Sequence, residues 1–359
     1  MPPLPPARVP RRPAAPAATK PQHGSVSIDL ALQGGGSHGA FTWGVLERLL
    51  DDDSLVFDGL SGTSAGALNA AVLATGWAEG GRAGAKAALQ AFWFDVSGNA
   101  SCFGTPAAGL AGFNLDNNPM YAWFNQFTKA FSPYQFNPLG IDPLRDVLTR
   151  HVRPTVLQRG PLSLFITATS VRTGQARVFD HTDLSIDALL ASACLPQMFQ
   201  AVQIDGEPYW DGGYSGNPAL WPLIYNTRSM DIVLVKINPL QRLGTPDTAA
   251  EIADRVNEIT FNAGLVGELR AISFVQRLVK EGRLASGAYK DLRLHMVADD
   301  AGLAPLHPSS KVNTERAFLL MLRGLGRAAA EAWLGAHRKD VGVRSSLDIH
   351  NTFLSPGKA

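Results

Sequence analysis

The chain has 359 residues, of which 45% are hydrophobic and 18% charged, as expected for a globular protein with a sizeable buried core. Its formal net charge is only +1. Four basic residues and no acid fall in the first 25 positions, so the rest of the chain has no excess of basic residues, and no nucleic-acid-binding surface is predicted. The two cysteines, Cys102 and Cys194, lack metal-ligand spacing, which indicates free thiols in a reducing compartment and predicts no metal site.

Residues 1–24 form a tail rich in Pro, Ala and Arg. Proline removes backbone hydrogen-bond donors, and the tail has few apolar side chains to bury. Disorder is therefore predicted there. The tail lacks the apolar run of a secretory signal, and the longest apolar stretch elsewhere, 67–78, is too short to span a bilayer. We therefore expect a cytoplasmic protein without a signal peptide or transmembrane segment.

The hydrophobic pattern along the chain predicts alternating strands and helices. Strands are expected at 25–32, 55–62, 164–171 and 231–240, a hairpin at 202–210, and helices at 40–50, 65–77, 84–96 and 185–195. Strand–helix alternation of this kind indicates a mainly parallel sheet with right-handed crossovers. Beyond residue 245 the pattern is helical, and we expect residues 241–359 to form a mainly helical extension that packs on the domain before it.

A glycine-rich loop follows the first predicted strand. Its spacing, Gly34-x-Gly36-x-x-Gly39, matches a dinucleotide-binding fingerprint, but such a turn can also direct backbone N–H groups at an oxyanion. A dinucleotide site needs an acid after the second strand to hold the ribose, whereas residues 51–53 precede that strand. The sequence therefore favours the oxyanion interpretation.

The second strand ends in another glycine-flanked turn, Gly62-x-Ser64-x-Gly66, immediately before an Ala-rich helix. This arrangement is typical of a nucleophile elbow, in which small neighbours let a serine occupy a strained turn with its hydroxyl at a helix N-terminus. The dipole and N–H groups of that helix end favour the negative charge of a tetrahedral intermediate. Ser64 is thus a candidate nucleophile.

A nucleophilic serine requires a base. Asp211, in the sequence EPYWDGGYSGNP, follows a strand-like segment and precedes two glycines, where it could be a base or an ordinary turn residue. His295, His307, His337 and His350 follow Asp211, but none lies in a glycine-flanked or strand-end loop. These histidines are interpreted as surface or core residues.

The motifs GGGSHG at 34–39, GTSAG at 62–66 and DGG at 211–213, in this order and spacing, resemble the patatin-like phospholipase family. The resemblance covers residues 26–240 and implies a three-layer α/β/α sandwich with a mainly parallel central sheet. It further implies a Ser–Asp dyad without histidine, in which Ser64 is the nucleophile and Asp211 the general base.

The resemblance also implies an oxyanion hole and a reaction. Backbone N–H groups of the two glycine turns would form the hole, from Gly34, Gly35, Gly36, Ser37, Gly39 and Ala65. The reaction would be acyl transfer through a serine ester, with no metal and no cofactor. Many family members carry Arg or Lys before the last loop glycine, whereas this chain has His38, which would be cationic only when protonated.

Residues 97–140 are dense in Gly, Pro, Asn and aromatic residues, which is typical of a lid or a functional insertion. The rings could line an acyl-chain pocket, contact a lipid surface or pack a second small core. The aromatic residues are Phe103, Phe113, Tyr121, Trp123, Phe124, Phe127, Phe131, Tyr134 and Phe136.

The sequence as a whole predicts a serine acyl hydrolase of the lipase, phospholipase A or lysophospholipase type. Two alternatives stay open: hydrolysis or transfer of another acyl ester, such as a storage polyester, and a non-catalytic lipid-binding module of the same fold. The expected partners are the lipid or acyl-ester substrate and, transiently, a membrane surface, but no nucleic acid. Acyl length, head group and oligomeric state are not determined by the sequence.

Overall fold

The computed structural model describes residues 24–99, 113–116, 118–242, 244–284 and 289–355. The tail up to residue 23, for which disorder is predicted, lies outside the described residues, as do Cys102 and Phe103.

The predicted strands and helices occur in the predicted order, with further elements between and after them. The strands are β1 (Val26–Leu32), β2 (Leu55–Thr63), β3 (Ser163–Ser170), β4 (Ala176–Phe179), β5 (Val202–Ile204), β6 (Glu207–Asp211), β7 (Asp231–Val235) and β8 (Arg293–Val297). The helices are α1 (Gly39–Leu49), α2 (Ala65–Gly98), α3 (Pro119–Ala130), α4 (Pro133–Phe136), α5 (Pro143–His151), α6 (Pro154–Leu157), α7 (Ile186–Ser192), α8 (Trp221–Asn226), α9 (Ala249–Lys280), α10 (Asp300–Leu303) and α11 (Arg316–His337). The helices predicted at 65–77 and 84–96 are the two parts of α2, which is interrupted by non-helical backbone at Gly80 and Gly81.

The strands form one sheet in the order β5-β6-β3-β2-β1-β7-β8, with β4 also paired to β3. Strands β3, β2, β1, β7 and β8 are parallel, whereas β4, β5 and β6 join by antiparallel pairing. The predicted α/β class with a mainly parallel central sheet is confirmed. Because the carboxyl ends of parallel strands share one edge, the loops after β1 and β2 lie side by side.

Apolar side chains alternate between the two faces of the sheet and enter two separate clusters. On one face, Val233 and Val235 pack with α1, α2 and α11, and on the other, Ile232 and Leu234 pack with α8 and α9. A sheet with helices on both faces is a three-layer α/β/α arrangement.

The C-terminal third adds a strand that the sequence analysis did not foresee. Residues 241–359 contain the long helices α9 and α11, but also β8, which pairs with β7 throughout from Asp231↔Arg293 to Val235↔Val297. These residues therefore extend the sheet as well as cover it. In the part of the chain that the structure describes, no helix is both long and apolar enough to cross a membrane.

Candidate active site

Ser64 occupies a strained turn between β2 and α2. Its backbone has φ 52° and ψ −127°, a region that side-chain-bearing residues rarely adopt. A Cβ at Gly66 would overlap the Leu32 carbonyl, and one at Gly62 would lie 2.6 Å from the Gly66 oxygen. The flanking glycines are therefore required by close backbone approach, and the turn has the geometry of a nucleophile elbow.

The glycine loop after β1 lies directly against this turn. A Cβ at Gly34 would be 2.6 Å from the Ser64 Cβ. Asn217 Oδ1 accepts the Gly34 N–H at 2.6 Å, and Asn238 Nδ2 donates to the Gly34 carbonyl at 2.7 Å. Because the Gly34 carbonyl and the Gly35 N–H belong to one planar peptide and point in opposite directions, Asn238 fixes the Gly35 N–H pointing away from itself.

The expected oxyanion-hole residues differ in what their N–H groups do. The Gly34 N–H is occupied by Asn217, and the Gly39 N–H by the carbonyls of Gly36 and Ser37. Gly35 and Gly36 line the same cavity as Ser64, and Ala65 is the first residue of α2, where backbone N–H groups have no intrahelical acceptor. The N–H groups of Gly34 and Gly39 are therefore already occupied, and those of Gly35, Gly36 and Ala65 remain candidate oxyanion donors.

Asp211 ends β6 and reaches the same cavity from the other side. It is only 2% exposed, and its Oδ1 accepts the Gly213 N–H at 2.7 Å. The Ser64 side chain is close enough to lower the pKa of this carboxylate. Both residues line one cavity, although they are 147 positions apart in the sequence.

Burial raises the pKa of Asp211 to about 7, because desolvation outweighs the hydrogen bonds from Gly213 and Ser64 and the nearby charge of Lys311. A carboxyl group with a pKa near neutrality is a much stronger base than an exposed aspartate, whose pKa is about 3.9.

The cavity that contains Ser64 and Asp211 is small and mostly apolar, with a volume of about 90 Å³. Its apolar wall consists of Leu144, Ala193, Leu195, Met198, Phe199, Phe261 and Val312. Sites that enclose drug-sized ligands measure roughly 300–1,000 Å³. The cavity can hold an ester group and a short part of its acyl chain.

Comparison with known families identifies the family of this chain. The sequence model described as patatin-like phospholipase matches residues 30–224, which is more than half of the chain. The chain belongs to the patatin-like phospholipase family. The resemblance noted from the three motifs is confirmed, and membership places the chain among lipid acyl hydrolases.

Solved structures with detectable similarity are distant from this patatin-like protein. VipD from Legionella pneumophila is 14% identical with a TM-score of 0.37, and the match covers 84% of this chain and 67% of that one. A chain in the heterodimeric ExoU–SpcU complex from the type III secretion system of Pseudomonas aeruginosa is 16% identical with a TM-score of 0.30, covering 87% and 52%. A search of curated protein sequences finds no match.

His38 is not a cation in this patatin-like protein. Burial lowers the pKa of His38 to about 3, and the charges of Lys311 and Arg242 act in the same direction. Its Nε2 lies 2.7 Å from Ser310 Oγ, so the neutral ring ties the glycine loop to the segment at 308–312. Lys311 packs on Gly36 of this loop and also lines the cavity.

None of the four later histidines lines the cavity. His295 is buried between Asp231, at 3.0 Å, and Ser346, at 2.9 Å. This Asp–His–Ser chain resembles a catalytic triad, but Asp231 pairs with Ile28 near the start of β1, at the opposite edge of the sheet from Gly34. His307 contacts the Asp116 carboxylate and His337 the Asp340 carboxylate, and His350 is exposed.

The acids rejected for a dinucleotide site, and the described aromatic residues left open between an acyl pocket, a lipid surface and a small core, lie away from the cavity. Asp51 and Asp52 precede β2 and pair with Arg327 and Arg338, so they are not placed to hold a ribose. The described aromatic residues of the 97–140 segment do not line the cavity. Instead, Phe127 contacts Trp123, Phe131 and Phe136, with ring centroids 4.9–5.7 Å apart, while Phe113 packs on Phe318 of α11.

Sequence reasoning missed four polar residues that hold the site together: Gln33, Asn217, Asn238 and Lys311. Gln33 immediately precedes the glycines, and its Oε1 accepts the N–H groups of Ile237 and Asn238. The position of Gln33 next to the glycine loop could have indicated a role in the site. The sequence around Lys311 gives no such indication, because it is an ordinary polar segment.

Proposed function

We propose that this patatin-like protein is a serine acyl hydrolase that cleaves carboxylic esters of lipids, of the phospholipase A, lysophospholipase or lipase type, through a Ser64–Asp211 dyad. The observation that carries the proposal is that one small cavity is lined by a serine on a strained elbow and by a buried aspartate, whose pKa is raised by burial to about 7. A purely lipid-binding module has no need of that pairing.

The proposed reaction begins with ionised Asp211 taking the proton of the Ser64 hydroxyl as Ser64 Oγ attacks the ester carbonyl carbon. The carbonyl π electrons move to oxygen and form the oxyanion. Collapse of the tetrahedral intermediate expels the alcohol, which takes the proton from Asp211, and leaves the acyl group on Ser64. Water, deprotonated by Asp211, then attacks the acyl-enzyme and releases the fatty acid, and Ser64 regains its proton.

The proposed oxyanion donors are the N–H groups of Gly35, Gly36 and Ala65. Gly36 has φ 58°, and a Cβ there would overlap the Lys311 carbonyl, so the loop conformation demands glycine on two grounds. Donors fixed by such packing need not reorganise when the oxyanion forms, which is the basis of their stabilising effect.

A fluorophosphonate probe with a reporter tag tests the nucleophile, because it labels activated serines. We expect labelling of the wild-type chain and none of Ser64→Ala. Labelling of both proteins on the same tryptic peptide outside residues 62–66 would refute the assignment.

Turnover of a soluble neutral ester tests the base. Asp211→Asn should lower kcat by at least about a hundredfold, since general-base catalysis is worth roughly 10²–10⁴-fold. Asp187→Asn, a surface residue paired with Arg145, is the matched control and should retain wild-type turnover. His307→Ala should also retain it, and a collapse in that variant would mean that a histidine is the base.

A further inference from the structure

Lys311 lines the cavity that contains Ser64 and Asp211, although it belongs to the C-terminal third of the chain. Its Nζ donates to Asn238 Oδ1 at 2.9 Å, and the Asn238 Nδ2 donates in turn to the Gly34 carbonyl. One amide therefore links the ammonium group to the glycine loop.

The backbone of Lys311 is fixed to the same loop. It lies in the 3₁₀ turn Pro308–Val312, and its carbonyl packs so closely on Gly36 that a Cβ there would overlap it. The neighbouring Ser310 is hydrogen-bonded to His38 at the end of the loop. Lys311 is thus held at the catalytic loop by three independent contacts, which is more than a solvent-facing lysine requires.

The charge of Lys311 is not neutralised by a direct partner. Within the described ranges, no carboxylate lies within ion-pair distance of its Nζ, and the one hydrogen-bond partner is the neutral Asn238. Glu258 forms ion pairs with Arg242 and Arg255, and Asp211 accepts a hydrogen bond from the Gly213 N–H. Burial lowers the pKa of Lys311 and the charge of Arg242 acts in the same direction, while Glu258, Asp254 and Asp211 oppose this shift at longer range.

A half-buried ammonium without an anionic partner is costly, and an anionic ligand would offset that cost. The cavity measures only about 90 Å³, so groups bound at Ser64 and at Lys311 must come from one small part of the substrate. In glycerophospholipids the phosphate is joined to the ester by two or three glycerol carbons, and lysine is a common phosphate ligand.

We propose that Lys311 binds a phosphate group next to the scissile ester, so that it determines specificity for phosphate-bearing acylglycerols over neutral ones. The proposal rests on the proposed hydrolase function and names its substrate class. Asn238 positions the ammonium, and His38, being neutral, does not compete for the phosphate.

The test compares two substrates that differ only in the phosphate: 1-decanoylglycerol 3-phosphate and 1-decanoylglycerol, both below their critical micelle concentrations. The readout is the ratio of their kcat/KM values. We expect Lys311→Met to lower this ratio by about tenfold to a hundredfold, the range for loss of a charge-assisted hydrogen bond. Lys311→Arg should recover most of it, and Lys339→Met, an exposed lysine, should leave the ratio unchanged.

Two results would overturn the proposal. An unchanged ratio in Lys311→Met would show that the phosphate is not bound there. Equal losses on both substrates, with the pH–rate midpoint shifted upward, would show that Lys311 acts only on the ionisation of Asp211.

A binding measurement separates this proposal from the hydrolase itself. In the Ser64→Ala background, titration with sn-glycerol 3-phosphate should raise the thermal unfolding midpoint, and the added Lys311→Met change should abolish the shift. A shift that persists in the double variant would refute phosphate binding by Lys311. If the wild type cleaves neither ester yet the Lys311-dependent shift is present, the proposed function fails and the phosphate site stands.

Discussion

At the scale of single residues, the hydrogen bonding of Asp211 limits how its carboxylate can act. Oδ1 is held by the Gly213 N–H, and the Asp211 backbone is fixed by its N–H to Cys194 and by the Thr169 hydroxyl to its carbonyl. A Cβ at Gly213 would overlap the ring of Phe261, so the glycine after the aspartate is sterically required. The carboxylate is therefore held in place at the cavity that Ser64 also lines.

The raised pKa of Asp211 predicts the pH dependence of hydrolysis. Only the ionised carboxylate can accept the Ser64 proton, and burial raises its pKa to about 7. We expect kcat/KM for a neutral ester to fall about tenfold per pH unit below pH 7 and to level off above it. A pH–rate profile with a non-titrating ester, on protein checked for folding at each pH, provides the measurement. A plateau extending down to about pH 4 would contradict the buried environment of Asp211.

The proposed catalytic residues could be predicted from sequence because each has characteristic glycines close to it in the chain. Ser64 has a required glycine two residues before it and another two residues after it, and Asp211 is followed by two glycines, because neighbouring backbone or, at Gly213, the Phe261 ring leaves no room for a Cβ. No sequence motif surrounds Lys311 or Asn238, because they reach the site through contacts between segments far apart in the chain. A single sequence does not contain those contacts.

At the scale of elements, the segment after α7 forms much of the apolar wall. Leu195, Met198 and Phe199 line the cavity, and Gln200 Nε2 and the Ala201 N–H attach this segment to Asn137 and Tyr134. The region at 131–141 is therefore joined to the wall, although its own described aromatic rings do not line it.

Enlarging this wall should change the acyl-chain preference. Phe199→Ala removes a ring from the small cavity, and each buried CH₂ of a substrate contributes about 0.8 kcal/mol, or about fourfold in kcat/KM. We expect the optimal acyl length in a series of p-nitrophenyl esters to increase by two or more carbons. Phe274→Ala, on an exposed face of α9, is the matched control. An unchanged optimum would mean that the acyl chain leaves the site by another route.

Strand β8 shows why one element was missed. Its sequence, RLHMV, places Arg293 and His295 on one face, which does not look like a buried strand. Both side chains bind the Asp231 carboxylate on β7, at 2.9–3.1 Å, and these bonds lower the pKa of Asp231 to about 2. The polar residues are satisfied by a partner 62 or 64 positions away, so propensity alone could not predict the strand.

At the scale of the whole molecule, Asp29 makes stability depend on pH. It is fully buried on β1 and accepts a hydrogen bond from the Thr227 hydroxyl at 2.5 Å. Burial raises its pKa to about 8, against about 3.9 in an unfolded chain. Between these values the folded state holds a proton that the unfolded state has released. The stability that Asp29 contributes is therefore complete below about pH 4 and is lost as the pH rises toward 8.

Replacing Asp29 should remove this dependence. We expect the unfolding free energy of Asp29→Asn relative to wild type to improve as the pH rises from 5 to 8, by at most about 1.4 kcal/mol per pH unit. Urea unfolding at several pH values gives the difference directly. Asp187→Asn, on the surface, should show no such trend, and a flat difference for Asp29→Asn would indicate that Asp29 is ionised in the folded protein.

The C-terminal helix α11 is integral to the fold because it crosses α1 at backbone contact distance. A Cβ at Gly326 would overlap the Phe41 carbonyl, and one at Gly44 would overlap the Arg323 carbonyl. Arg323 also binds Glu47 through two hydrogen bonds of 2.6 and 2.7 Å. Two glycines, one on each helix, thus allow an approach that any side chain would prevent.

Two glycines of α11 offer a matched test with opposite expected signs. Gly326→Ala must push the helices apart and should destabilise the protein by about 1–3 kcal/mol, as overpacking does. Gly324→Ala, two residues earlier and with open space around its Cβ position, should stabilise it by about 0.5–1 kcal/mol through helix propensity. Thermal or urea unfolding of the full chain measures both. If Gly326→Ala were as stable as Gly324→Ala, α11 could not lie at backbone contact with α1. If only Gly326→Ala is destabilised, the C-terminal third is a structural part of the catalytic domain, since the loss would come from its contact with a helix that begins beside the glycine loop.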